Sequence, residues 1–102
     1  MPQVSISNET RRRIEIMFSG DEIELVGAFL AEECGDNLPF YENSSSLELD
    51  RLRFAALKLS NGQLEELQQG VDLAKQDWRD LLVAAGFGED IHAHQNWMPE
   101  RR

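Results

Sequence analysis

The chain has 102 residues, 41% of them hydrophobic and 28% charged, with nineteen acids against ten bases for a formal net charge of −9. That is the composition of a single globular domain, long enough to bury one core and too apolar to stay disordered. The acidic excess repels phosphate backbones, so nucleic-acid binding is disfavoured and a protein partner with a basic surface is the compatible class.

The one basic run, Arg11–Arg12–Arg13, is short and lies between Glu9 and Glu15, which makes a poor nucleic-acid patch. The longest mainly apolar runs, LVGAFLA and FAALKL, fall far below the ~20 residues that span a bilayer. No apolar core of a secretory signal is present in MPQVSISNETRRR. Cys34 is the single cysteine, so no intramolecular disulfide forms, and together these features lead us to expect a cytoplasmic protein.

In chain order, residues 1–7 read as a lead-in, with VSIS alternating apolar and polar over too short a stretch for a sheet. A first helix is expected from Ser7 or Asn8, carrying Ile14, Met17 and Phe18 on one face, and Gly20 stops it. Ser19 and Glu22 have the spacing of a capping box, which predicts a second helix running to about Cys34 and ended by Gly35. Its stripe of Ile23, Val26, Leu30 and Cys34, with Leu25 and Phe29 beside it, is wide enough to suggest burial on more than one side. GDNLPFYENSSS, residues 35–46, is the longest irregular stretch.

Ser45 and Glu48 repeat the capping-box spacing and open a third helix through LELDRLRFAALKL. Its second half is apolar nearly all round, which marks the central helix. SNG at 60–62 breaks it, and Ser60 with Gln63 offers another capping box. From Leu64 the apolar positions 64, 67, 71, 74, 78, 81 or 82 and 85 alternate spacings of three and four. The run fits one helix of roughly 24 residues or two broken near Lys75–Asp77. Gly86 at C′, Phe87 at C″ and Leu82 at C3 match a Schellman cap. A short closing helix is expected between Gly88 and Pro99, and the tail 99–102 is expected to fray. With no convincing strand, the fold class is all-α: one small helical bundle of four to six helices over residues 1–102.

RFAALKLSNG, DWRDLLVAAGF and then His94 and Trp97, together with EECGDNLPF, resemble a group of short bacterial all-helical proteins of uncharacterised function. The resemblance runs over about residues 32–97, two-thirds of the chain. It implies a self-contained helical protein and brings no activity, cofactor or catalytic residue with it.

Four features invite a chemical reading. His92 and His94 are the only histidines and stand among Glu89, Asp90 and Trp97. With Cys34 and nearby acids they could ligate a divalent metal, the basis of a metal-binding or hydrolytic alternative. Yet a His-x-His pair diverges by about 200° on a helix, and no second metal motif accompanies it. A structural role is preferred, with Ile91, Trp97 and Met98 docking the chain end. Asp77 and Asp80 of DWRD could pair as acid and base, but a solvent-facing acidic edge, or ion pairs with Arg51 or Arg53, is the simpler expectation. Cys34, at a helix C-terminus on an apolar stripe, is expected to be an inert buried thiol.

The fourth feature is the loop DNLPFYEN. Leu38, Phe40 and Tyr41, rimmed by Asp36 and Glu42, are the candidate protein-interaction residues, unless they fold back to plug the bundle. The expected function is therefore a non-enzymatic acidic binding or regulatory module, of inhibitor or immunity type, without cofactor. It would act on a basic protein surface. The long apolar face from Leu64 to Ala85 leaves a homodimer open.

Overall fold

The computed structural model of the protein describes residues 6–36, 46–90 and 92–99, the side chains of 35, 36, 46 and 47 excepted. It is all-α. Four helices, α1 (Asn8–Met17), α2 (Asp21–Ala31), α3 (Ser46–Ser60) and α4 (Leu64–Ala85), are joined by a π turn at Glu32–Asp36 and followed by a 3-10 turn at Ala93–Asn96. No helix among the described residues is long and apolar enough to cross a membrane.

Ser7 caps α1 by accepting the Thr10 amide at 3.1 Å, and its hydroxyl donates to Asp50 Oδ1 at 2.9 Å. Thr10, fully buried, donates to the same carboxylate oxygen at 3.0 Å. One carboxylate on α3 therefore holds the positive end of α1. Of the lead-in, expected to fray, Ile6 packs against the core and Ser7 caps α1, while residues 1–5 lie outside the described residues.

The capping boxes expected at Ser19–Glu22 and Ser60–Gln63 do not form. At α2 the cap is Gly20, with φ 60° and ψ −133°, a conformation that suits glycine, and no side chain bonds the first turn. Ser19 is one residue too early, and Asp21, Glu22 and Glu24 supply negative charge to that helix end instead. At α4 the cap is Gln63, again without a side-chain bond. Ser60 faces backwards, donating to Leu57 O at 2.6 Å and accepting the Gly62 amide at 3.2 Å. The Ser45 box lies outside the described residues.

The hairpin of α3 and α4 is the centre of the molecule. Residues Leu52–Leu57 are buried without a break, so α3 is the central helix that its composition predicts. Leu67, Val71, Ala74, Leu81, Leu82 and Ala85 face it from α4. Gly70 lets the helices close: a Cβ there would stand 3.3 Å from Ala56 Cα. The turn between them places Asn61 and Gly62 at positive φ, 54° and 81°.

Helix α4 is two helices joined across a kink at Asp77. Asp77 has φ −155° and ψ 93°, and its Oδ1 accepts the amides of Arg79 and Asp80 at 3.2 and 3.4 Å. That is an N-cap inside a continuous apolar register. DWRD therefore marks a helix restart at the expected break, and Asp77 and Asp80 are exposed, as in the expected acidic edge. The register survives the break because Trp78, Leu81, Leu82 and Ala85 still face the core. At the far end Gly86 (φ 82°) closes the expected Schellman cap, with Phe87 N donating to Leu82 O at 2.8 Å and Gly86 N to Val83 O at 3.1 Å.

Two substitutions test this account by urea denaturation. Asp77→Ala is expected to cost about 1 kcal/mol by removing the internal cap. Gly70→Val pushes against the α3 backbone and is expected to cost about 1–3 kcal/mol. Wild-type stability in either variant would contradict the packing described.

Candidate functional site

The closing segment contains the residues that first suggest chemistry, and the fold separates them. His94 is 1% exposed, with its ring edge-on to Phe54 at 5.2 Å and to Phe87 at 6.3 Å between centroids. Trp97 tilts against the same two rings, 6.2 and 6.3 Å away. His92 is exposed, its backbone amide held by Asp90 Oδ1 at 2.8 Å and its Nδ1 3.2 Å from Gln95 Oε1. Docking thus falls to His94 and Trp97; Met98, expected to dock, is 44% exposed, and Ile91 lies outside the described residues.

Arg13 fastens that segment. Its guanidinium is buried, lies 4.1 Å over the Phe54 ring, and donates to Trp97 O at 3.0 Å and Gln95 O at 3.4 Å. Its Nη1 also serves Glu9, at 2.8 Å to the carbonyl and 3.1 Å to the carboxylate. Arg13, with Arg12 beyond it, holds the Glu9 carboxyl below the usual carboxylate range. In sequence Arg13 looked like part of a charge run; its spacing of three from Thr10 and four from Met17 was the available sign that it faces inward.

Three more cations do the same work. Arg51 Nη2 donates to Phe87 O at 2.6 Å, Lys58 Nζ to Ala85 O at 2.8 Å, and Arg53 Nε to Cys34 O at 3.0 Å. Each carbonyl stands at the end of a helix or turn, where acceptors lack intrahelical partners and the dipole is negative. These contacts correct the expectation that Arg51 and Arg53 pair with the acids of DWRD. Their partners named here are backbone carbonyls, which long side chains on the central helix reach across the fold.

Cys34 is fully buried, and burial pushes its thiol from 9.0 up to about 11, against smaller downward pulls from Arg53 and Lys75. It carries no nucleophile chemistry at neutral pH. Among the described residues no group of three or more His, Cys, Asp and Glu side chains could hold a metal ion. The hydroxyls of Ser7 and Thr10 share Asp50 without a histidine, an anchoring cluster rather than an activated nucleophile. A cleft of about 740 Å³ lies between the end of α1 and the α3–α4 turn. Of its ionisable walls, Arg12 pairs with Glu9 and Glu15 with Arg11, leaving Glu22.

What stands out is the distribution of charge. Arg11 pairs with Glu15 and Glu24, Arg12 and Arg13 with Glu9, and Lys75 with Glu33. Arg79 lies over Trp78, its guanidinium 5.2 Å from the ring centre. Asp21, Glu22, Glu32, Glu65, Glu66 and Asp72 are exposed, and no described Lys or Arg is within ion-pair distance of them. Leu38, Phe40, Tyr41 and Glu42, and the side chain of Asp36, lie outside the described residues.

Replacing Arg13 by Met is expected to free the closing segment, costing about 3–5 kcal/mol in a denaturant titration and red-shifting Trp97 emission. The Cys34 thiol gives a pH test. Its folded pKa is raised, so the unfolded chain loses the proton first and stability falls as pH rises from 9.0 to about 11. The drop is expected to approach about 3 kcal/mol and to be absent in Cys34→Ala. Comparison with known proteins returned nothing: no family model, no curated protein and no solved structure matches this chain.

Proposed function

We propose that this protein is a non-enzymatic binding module whose acidic helix faces cover a basic surface on a partner protein, in the manner of an inhibitor or immunity protein. The observation that carries this reading is the segregation of charge. Arg13 and Arg53 are buried on backbone carbonyls, and the half-buried Arg51 and exposed Lys58 also spend their donors on carbonyls. Asp21 and Glu22 of α2 and Glu65, Glu66 and Asp72 of α4 stay in solvent without an opposing cation among the described residues.

The net charge of −9 therefore understates the surface by the two cations, Arg13 and Arg53, that are buried. Such a field speeds encounter with a cationic partner and rejects acidic ones. Of the buried ionisable groups, Arg13 and Arg53 hold backbone carbonyls, the Cys34 thiol keeps its proton, and His94 packs between Phe54 and Phe87.

Immobilised protein is expected to retain a basic partner from extract and release it as salt rises toward about 1 M, where the screening length is ~3 Å. The triple variant Glu65→Gln, Glu66→Gln, Asp72→Asn, its folding checked by circular dichroism, is expected to retain markedly less of the same partner. Equal retention by both forms, or retention indifferent to salt, overturns the reading.

A further inference from the structure

We infer that the furrow between α2 and the first turns of α4 is the docking groove for a basic amphipathic helix of the partner, an inference that rests on the acidic binding module above and names its contact surface. The furrow has a volume of about 170 Å³ and is lined by Leu25, Val26, Phe29, Leu64, Leu67 and Gln68. Val26 and Leu67 are buried and form its floor, while Leu25 at 56% and Leu64 at 38% stand exposed on its walls. These are two of the four large apolar side chains exposed among the described residues, and they border one space. Its size is close to the cavity of about 150 Å³ that accepts a benzene ring, enough for one large apolar side chain to enter.

Charge decides what that side chain belongs to. Asp21 is four residues before Leu25, Glu32 three after Phe29, Glu65 three before Gln68, and Asp72 four after it. At those spacings the acids neighbour the groove residues on the helix surfaces. All four are exposed and lack an ion pair among the described residues. A second copy of this chain would set the same acids against themselves across a two-fold axis, a like-charge arrangement costing several kcal/mol. A helix with large apolar residues at i, i+3 or i+4 and i+7, flanked by Lys and Arg, satisfies both parts of the surface. Apolar contact fixes its register and the rim fixes its sign.

The test uses a synthetic amphipathic helix of leucine and lysine and a second peptide with the same composition in scrambled order. Binding to the full chain is followed by fluorescence anisotropy and amide shift changes. The ordered peptide is expected to bind at least about ten-fold tighter than the scrambled one, with shifts at Leu25, Phe29, Leu64 and Leu67. Leu25→Ser with Leu64→Ser, both at exposed positions that folding tolerates, is expected to remove that preference. Glu65→Gln with Asp72→Asn is expected to weaken both peptides and flatten the salt dependence.

If both peptides bind alike and the serine variant changes nothing, the groove is overturned while the acidic binding reading stands. Shifts confined to other helix faces also overturn it. Failure of the ordered peptide to bind overturns the groove, and with salt-indifferent capture of partner in the preceding experiment both readings fall. A concentration-dependent dimer in sedimentation equilibrium, abolished by the serine variant, assigns the groove to a second copy and overturns the basic occupant.

Discussion

The structure depends on the bonding of helix-end carbonyls by long cationic side chains, of which Arg13 and Arg53 are buried. A helix leaves its last carbonyls without partners, and in a small domain those ends are pressed against neighbours where water cannot serve them all. Arg13 reaches the carbonyls of Gln95 and Trp97, Arg53 that of Cys34, and Arg51 and Lys58 those of Phe87 and Ala85. Charge-assisted bonds of this kind are stronger than neutral ones, and the positive charge also meets the negative end of the dipole. Burying a guanidinium costs several kcal/mol, which a ring face and a set of fixed acceptors offset only when all are in place. Arg13 has Phe54 for the first and Glu9, Gln95 and Trp97 for the second.

This device has an electrostatic consequence outside the core. Of the chain's ten bases, Arg13 and Arg53 are buried, and Arg11 and Arg12 are matched to carboxylates on α1. The exposed acids of α2 and α4 then create a field that the overall count does not reveal. Helix ends tied by cationic side chains around an apolar core, and acids left exposed outside it, are two results of one arrangement.

The residues that invite a catalytic reading are placed by the same logic. His94 is an aromatic member of the core between Phe54 and Phe87, while His92 stays in solvent. Asp77 restarts a helix whose axis must bend to follow the core. Cys34 offers its carbonyl to Arg53 and keeps its proton. Polar residues gathered in one short stretch of sequence thus serve different parts of the molecule. Proximity along the chain carried no chemistry because helical geometry sent neighbouring side chains in different directions.

The helical class, the central position of α3, the Schellman cap at Gly86 and the tether at Trp97 were legible in the sequence, because each follows from local spacing: apolar periodicity, a glycine at C′, an indole near the chain end. The failed capping boxes show the limit of that approach, since Ser19 and Ser60 have the right spacing but the chain turns one residue later or the hydroxyl faces backwards. Arg13, Arg51, Arg53 and Lys58 could not be assigned, since their acceptors lie 19 to 84 residues away. The furrow beside Leu25 and Leu64 escaped the sequence for the same reason. Periodicity says which side chains can face inward; only the packing of α2 beside α4 decides which of them remain uncovered. Local spacing sets the helices, and long-range contact sets which charges and apolar groups are left exposed.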